Sequence, residues 1–559
     1  MSELLRRSSH ISRFQRRGAL FLYHDLFGYL LEGSADIAAL IDAFAEPRAA
    51  GDVIEQHRPR LPESEMFVSV LQQTRVLVHA DTDELAPLLD RYPVRARWTV
   101  MRALADGRFE GVIGRNTTIK PRIEKLDAFE SKVWSRIDGE TTVSEIAEDV
   151  GASPRSVART VAAWTHSDRQ WTRTSDVKMS FYGGTRRPPP YLNSTMPFAP
   201  LPAGTEATPD PFESGGIVDL GAYHEAEITD ADDQFDSGET TLSHMFRQPH
   251  PAFAGRSYGA AFADALVRDG LWTAKTSNVV EVGGGVGFFA AALLDRIGTK
   301  IPARSADASY TIVELSPALQ ASQRGKLTDR AEAIEYVLGN AEVLELPDGS
   351  VDLLISNEVV ADFRTARVDR GDLDDFGGPE TTADETLDLI DDVRLPIDDA
   401  DDEFFINLGA MRFVQRVAKV LKPGGVAVIT EFGDQFRYPV ESVQLDHPEF
   451  SIHFGHLAHV AAKAGLATEL KVVPEWLGMD PDVAVIATAR TWHRNLAALF
   501  ASDGVTIEKI AYTRPMLAEL AGGDAAIDAI DSIRFEPAGQ RACGLRPHEF
   551  KALIVRKPS

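Results

Sequence analysis

The sequence predicts an α/β protein: a Rossmann-like sheet domain in the C-terminal half, preceded by smaller α+β modules. Three observations carry this. From about Ser257 onward, β-branched runs alternate with helical patterns, as in a parallel sheet covered by helices. One run, Asn278-Val279-Val280-Glu281-Val282, meets the turn Gly283-Gly284-Gly285-Val286-Gly287, which opens an apolar helix, Phe288 to Ile297. Composition also divides the 559 residues into a mixed zone (1–178), a Pro-, Gly-, Ser- and Thr-rich zone (179–245) and the α/β remainder. The expected organisation is a module over 1–90, a second over 91–178, an extended linker over 179–245 and the sheet domain over 246–559. An acidic insertion spans 364–403.

Composition bounds the function. The single cysteine, Cys543, excludes an intramolecular disulfide and a cysteine-built metal site. No run of about 18 apolar residues suggests a membrane span. The basic stretch Met1 to Arg17 leads into an apolar run too short for a secretory signal, so a cytoplasmic location is expected. A net charge of -26 disfavours nucleic acid and either favours a basic ligand, such as an Arg- or Lys-bearing peptide, or serves solubility alone.

In the first zone, Ala19 to Leu31 reads as a hairpin and Asp36 to Phe44 as a helix. Phe67, Val70 and Leu71 mark a second helix, followed by Arg75-Val76-Leu77-Val78. Further on, Phe129, Val133, Trp134 and Ile137 line a helix that stops at Asp138-Gly139. Thr142 or Ser144 caps the next, and Val157, Val161 and Trp164 share a face of the third, Pro154 to Trp164. Helix, acidic-Gly turn, short helix and longer helix make a winged-helix layout. Both segments resemble the PqqD-like fold, the precursor-recognition element of enzymes that modify ribosomally made peptides. Val133 to Ala147 carries most of the likeness. The resemblance implies that a peptide adds as a strand to an exposed sheet edge. Plain structural packing is the alternative, and so is DNA binding, with Arg155 and Arg159 on the recognition helix.

In the sheet domain, glycines in the Gly283–Gly287 turn let backbone approach a ligand that a Cβ would exclude. Glu281, within the preceding strand, can attract a cationic amino group. A second strand, Tyr310-Thr311-Ile312-Val313, ends in Glu314, placed to hold the hydroxyls of a ribose through charge-assisted hydrogen bonds of about 1.5–3 kcal/mol each. A third, Glu335 to Leu338, leads to Gly339-Asn340-Ala341-Glu342. Val351 to Glu358 is a fourth with its exit, and Lys422-Pro423-Gly424-Gly425 opens a fifth.

These elements, in this order, resemble the class I S-adenosylmethionine-dependent methyltransferases. The resemblance implies cofactor binding by Glu281, Gly283, Gly284, Gly285, Gly287, Glu314, Leu315 and Asn357, with Asn340 and Ala341 over the adenine. Val313-Glu314-Leu315-Ser316-Pro317-Ala318-Leu319 through Gln323, and Asn357-Glu358 followed by Asp362, are similar to the MidA family, which includes an arginine methyltransferase of complex I assembly. Phe450 to Leu457 and Glu549 to Ile554 extend the likeness. His453 and Ser451 depart from it, standing where that family has Asp and His.

The resemblance implies methylation of an arginine side chain in a peptide or protein. Because a guanidinium is protonated and poorly nucleophilic, carboxylates must orient it and accept a proton. Glu358 is the first candidate and Asp362, one turn on, the second, with Asn357 holding the acceptor nitrogen or the methionine portion. A capping or ion-pairing role is the alternative for Glu358, and plain solvation for Asp362. His453 and His456, three residues apart, are candidates for a cleft, although such histidines are more often packing residues. No metal site is expected, since no third ligand of matching spacing stands near them. The acidic insertion reads as a solvated loop, or as a lid for a basic substrate. Alternatives for the whole chain are methylation of a small metabolite, with the N-terminal zone forming a homodimer, and a non-catalytic cofactor-binding assembly factor.

Overall fold

The structure is a computed structural model. It describes residues 4–16, 19–96, 99–114, 121–179, 199–200, 216–219, 221, 224–225, 228–231, 235, 240–301, 309–373, 382–444, 447–487, 490–531, 533–542 and 544–559. The chain divides into two compact units. One comprises Met1–Asp210, Thr491–Ile507 and Leu520–Ile533; the other Pro211–Arg490, Glu508–Glu519 and Arg534–Ser559.

In the first unit the expected hairpin pairs Ala19–His24 with Leu30–Gly33, and Ile11–Arg16 adds on the other side. Helices Ala35–Asp42 and Ser64–Gln73 lie where apolar spacing puts them. Between them is a helix the spacing does not announce, Ala50–His57, which buries only Val53. Ala128–Ser135, Val143–Val150 and Pro154–Thr165 match the three later helices. Thr142 caps the second of these in a capping box with Glu145, offsetting amides that would otherwise lack partners.

A boundary near residue 90 does not survive. Leu26 and Phe27, from the early segment, join the core around Trp134, Trp164 and Trp171. The Tyr23 hydroxyl donates to the Thr165 carbonyl at 2.7 Å, and the buried Asp25 carboxylate accepts from Ser12 and from the Ser167 amide. These long-range bonds tie the two expected modules into one unit, which no local periodicity could reveal.

The 179–245 zone is not simply a linker. Ala199–Pro200 pairs with Phe14 and Gln15 in the first unit, whereas Ile217–Val218 pairs with Thr365 and Ala366 in the second. The proline-rich segment Arg186 to Tyr191 and Cys543 lie outside the described residues.

The second unit is organised by one sheet. Its strands are β1 (Asn278–Val282), β2 (Ser309–Glu314), β3 (Ile334–Leu338), β4 (Val351–Asn357), β5 (Leu421–Asp434), β6 (Ala467–Val472) and β7 (Phe550–Arg556), in the order β3-β2-β1-β4-β5-β7-β6. The first five are parallel; β7 is inserted antiparallel between β5 and β6. Side chains alternate between two cores, as a strand's period of two requires. Val279, Ile312, Leu353, Val428 and Ile554 face one, and Val280, Val313, Leu354, Ile429 and Leu553 the other. Helices α1 (Tyr258–Arg268) and α2 (Phe288–Lys300) contribute to the first core, and α5 (Leu408–Val420) and α6 (Phe454–Lys463) to the second, while α3 (Pro317–Lys326) follows β2.

The acidic insertion, expected as a solvated loop, is folded where described. Strand Thr365–Asp369 pairs with Glu403–Ile406. Helix α4 (Asp384–Val393) buries Thr386, Leu389, Ile390 and Val393, spaced i, i+3, i+4, i+7, against the second core. The acidic residues between them mask an amphipathic helix. Residues 374–381 are not among those described.

Candidate functional site

The C-terminal ends of the parallel strands converge on a cavity of about 1100 Å³, its open mouth included. The Gly283–Gly287 turn forms one wall. Gly283, Gly285 and Gly287 all have φ in the left-handed region, at 68°, 50° and 92°, which explains glycine at each. A Cβ on Gly283 would lie 2.5 Å from the Val359 side chain, so the turn and the exit from β4 pack at glycine distance. A Cβ on Gly285 would project towards Phe235, 3.6 Å away across the cavity that both line. Gly287 lies outside the lining and serves as the N-cap of α2.

Glu281 and Glu314 occupy neighbouring strands. Glu281 is 1% exposed, and the Tyr310 hydroxyl donates to its Oε2 at 2.7 Å. Burial pushes its carboxyl up to about 7, with the charge of Glu314 adding to the shift. Burial also raises the Glu314 carboxyl, opposed by its hydrogen bonds. Its Oε1 accepts from the Leu315 and Ser316 amides, and its Oε2 from Gln323 at 2.8 Å. Gln323 Nε2 also donates to the Gly285 carbonyl at 2.8 Å, tying the glycine turn to the acid of β2. Leu315, Asn340 and Ala341 line the cavity as expected. Asn340 Oδ1 accepts from the Glu342 amide, which turns the chain after β3.

At the end of β4, Asn357 is a buried pin. Its Oδ1 accepts from the Tyr258 and Thr430 hydroxyls, each at 2.9 Å, and its Nδ2 donates to Glu358 Oε2 at 3.1 Å. Glu358 has φ 57°, unusual for a residue with a side chain and a form of strain that concentrates at functional sites. Its carboxylate accepts from the Leu242 and Ser243 amides at 2.6 and 2.9 Å, closing the N-terminus of the helical turn Leu242–Met245. The capping alternative for Glu358 is therefore realised, in a residue that also lines the cavity. Asp362 lines it too, in the short 3-10 turn Val360–Asp362.

His453 is not brought to the cavity. It caps α6, with Nδ1 accepting from the His456 amide at 3.1 Å. The two imidazoles stack at 3.6 Å between centroids, and burial lowers both pKa values. In this place they cap and pack the start of α6. Among the described residues there is no cluster of three or more metal-ligating side chains.

Sequence reasoning missed the wall from the Pro/Gly-rich zone: Asp219, Gly221, His224, Phe235, Thr241, Ser243 and His244. Nothing in their spacing marks them, because they follow no apolar period in the sequence. It also missed Glu431, a buried carboxylate on β5 whose pKa rises well above its ordinary value through burial and the nearby charge of Glu358. No signal but its place at the end of an apolar strand could have found it.

Residues 265–444, about a third of the chain, match the sequence model of a family described as "Putative S-adenosyl-L-methionine-dependent methyltransferase". The match runs from α1 through the glycine turn and both acidic strand ends to the residues after β5. The second unit holds an S-adenosylmethionine-dependent methyltransferase. No curated protein matches the chain. Solved structures similar to it include a "likely methyl transferase" from Burkholderia thailandensis bound to S-adenosyl-homocysteine, at 18% identity over 61% of this chain and 88% of that one, with a TM-score of 0.34. Another is phosphoethanolamine N-methyltransferase 2 of Haemonchus contortus in complex with S-adenosyl-L-methionine, at 12% identity over 65% and 62%, with a TM-score of 0.32. A structure described as a "putative sarcosine dimethylglycine methyltransferase" from Galdieria sulphuraria gives 13%, 54%, 85% and 0.27.

The methyltransferase cavity fits its cofactor. The Gly285 cradle admits a ligand where a Cβ would intrude, Glu314 is pre-oriented by two amides and Gln323, and Glu281 offers an acid to a cationic amino group. The strand order brings together the cofactor residues expected from sequence, Gly287 excepted.

Proposed function

We propose that the methyltransferase acts on an arginine side chain of a basic peptide or protein, in the maturation of a ribosomally made peptide. One observation supports this most. Asp219, Glu281, Glu314, Glu342, Glu358 and Asp362 line the cavity, and no lysine or arginine is among its described lining residues. So many carboxylates around a half-open cavity favour cationic ligands and oppose anionic ones.

When bound, S-adenosylmethionine supplies an electrophilic methyl group on a sulfonium. Glu314 holds the ribose hydroxyls, Glu281 attracts the amino group, and Asn340 and Ala341 border the adenine. Glu358 and Asp362 orient the guanidinium so that one nitrogen faces the reacting centre. Phe235 and the Thr241–His244 wall exclude water. Such alignment contributes around 7–11 kcal/mol to lowering a barrier.

The first unit captures the peptide in this reading. Its three-helix layout and the edge strand Arg122–Lys125 support that role. An added strand needs outward N–H groups on this edge. Ile123→Pro and Glu124→Pro therefore test it: one of the two abolishes binding of a fluorescent peptide and leaves cofactor uptake intact. The function itself is tested by incubating the full chain with methyl-labelled S-adenosylmethionine and an arginine-bearing peptide. Methylarginine after hydrolysis, absent when lysine replaces arginine, is the expected product. Label confined to small metabolites overturns the proposal.

A further inference from the structure

Alkylation of a protonated nitrogen releases a proton, and most carboxylates around the cavity are already engaged. Glu358 accepts from the Leu242 and Ser243 amides, Glu314 from two amides and Gln323, and Glu342 from Arg364. Asp362 instead faces an imidazole. Its Oδ2 lies 3.5 Å from Nε2 of His224, on the strap that sequence alone marks as a linker. Both side chains line the cavity, and His224 is 9% exposed. The separation suits a charge pair and is longer than a hydrogen bond; such contacts often shorten when substrate binds.

We propose that His224, oriented by Asp362, is the proton acceptor of the methyl transfer; this rests on the reading of a protonated nitrogen as acceptor. The nitrogen lone pair forms the N–C bond as the C–S bond breaks, and that electron pair stays on sulfur. The nitrogen's proton passes to Nδ1 of His224. Asp362 holds the Nε2 proton, which sets the tautomer, and its charge stabilises the imidazolium until the proton leaves to water. The cavity's other histidine, His244, is less suited. Arg247 Nη1 lies 3.1 Å from its Nε2, and a permanent cation there opposes a second positive charge. Asp219, Glu281, Glu314, Glu342, Glu358 and Asp362 are the charged groups among the described residues that line the cavity with His224.

The test uses the full chain, S-adenosylmethionine and an arginine peptide. His224→Gln should lower kcat about 100-fold or more, in the range of general-base loss. It should leave the cofactor KM unchanged and remove the rise of rate with pH through neutrality, and added imidazole should restore turnover to His224→Ala. A His224→Gln chain with the wild-type rate and pH profile overturns the proposal. Histidine-selective nitrogen NMR gives a readout independent of turnover: His224 as the Nε2–H tautomer, lost in Asp362→Asn. Absence of that tautomer in the wild type overturns the pairing. A wild-type chain that methylates no arginine peptide removes the acceptor assignment alone, and the spectra then decide the pairing.

Discussion

Glu281→Gln should abolish a pH dependence of cofactor binding that the wild type shows around neutrality. Glu281 is fully buried between β1's neighbours, and burial raises its carboxyl to about 7. A group with that pKa is roughly one-tenth ionised at pH 6 and about nine-tenths at pH 8. If the anion meets the amino group of S-adenosylhomocysteine, affinity should rise about tenfold over that interval, and a charge-assisted bond of roughly 1.5–3 kcal/mol should separate wild type from Gln at pH 8. Stability should run the other way. The folded-state pKa lies above the ordinary 4.5, so the native chain binds this proton more tightly than the unfolded chain. Wild-type stability is therefore lost as pH rises from about 4.5 to about 7, by on the order of 3 kcal/mol. Gln, which still accepts from Tyr310, escapes that loss. Calorimetric titration of S-adenosylhomocysteine at pH 6 to 8, paired with denaturant unfolding, measures both effects. An equal pH slope in the two proteins would refute the reasoning, because the titrating group would then lie elsewhere.

Three further outcomes follow from the packing. Asn357→Ala leaves the Tyr258 and Thr430 hydroxyls without their acceptor in a buried place and should cost about 2–5 kcal/mol in denaturant unfolding; Asn357→Asp, which keeps an acceptor oxygen, should cost less. Ile390→Ala should cost about 2–5 kcal/mol and raise hydrogen exchange along α4, because the insertion contributes to the second core; unchanged exchange would return the insertion to a surface loop. His456 is held down to about 3 by burial and by His453. The neutral ring's contribution is thus present above the ordinary 6.5 and lost as pH falls from there towards 3, so His456→Gln should show a shallower acid limb of stability between pH 6.5 and 4.

What the sequence disclosed, and what it hid, follows from how each part is specified. The parallel strands announce themselves because both faces are buried, and the glycine turn because φ values of 50–92° favour glycine. Glu314 was legible since it ends a strand beside that turn. The insertion misled because acidic residues flank the four buried positions of α4, although those positions keep helical spacing. The division near residue 90 misled because Tyr23, Asp25 and Phe27 act across more than a hundred residues. Hardest to read was the stretch of sequence from 219 to 244, which has no apolar period or repeat to mark it. Yet it supplies Asp219, His224, Phe235 and His244 to the cavity, and Glu358 is anchored by its amides. Removing residues before 245 would therefore strip a wall from the cofactor cavity as well as the first unit, so point variants on Arg122–Lys125 test the proposed capture where truncation cannot.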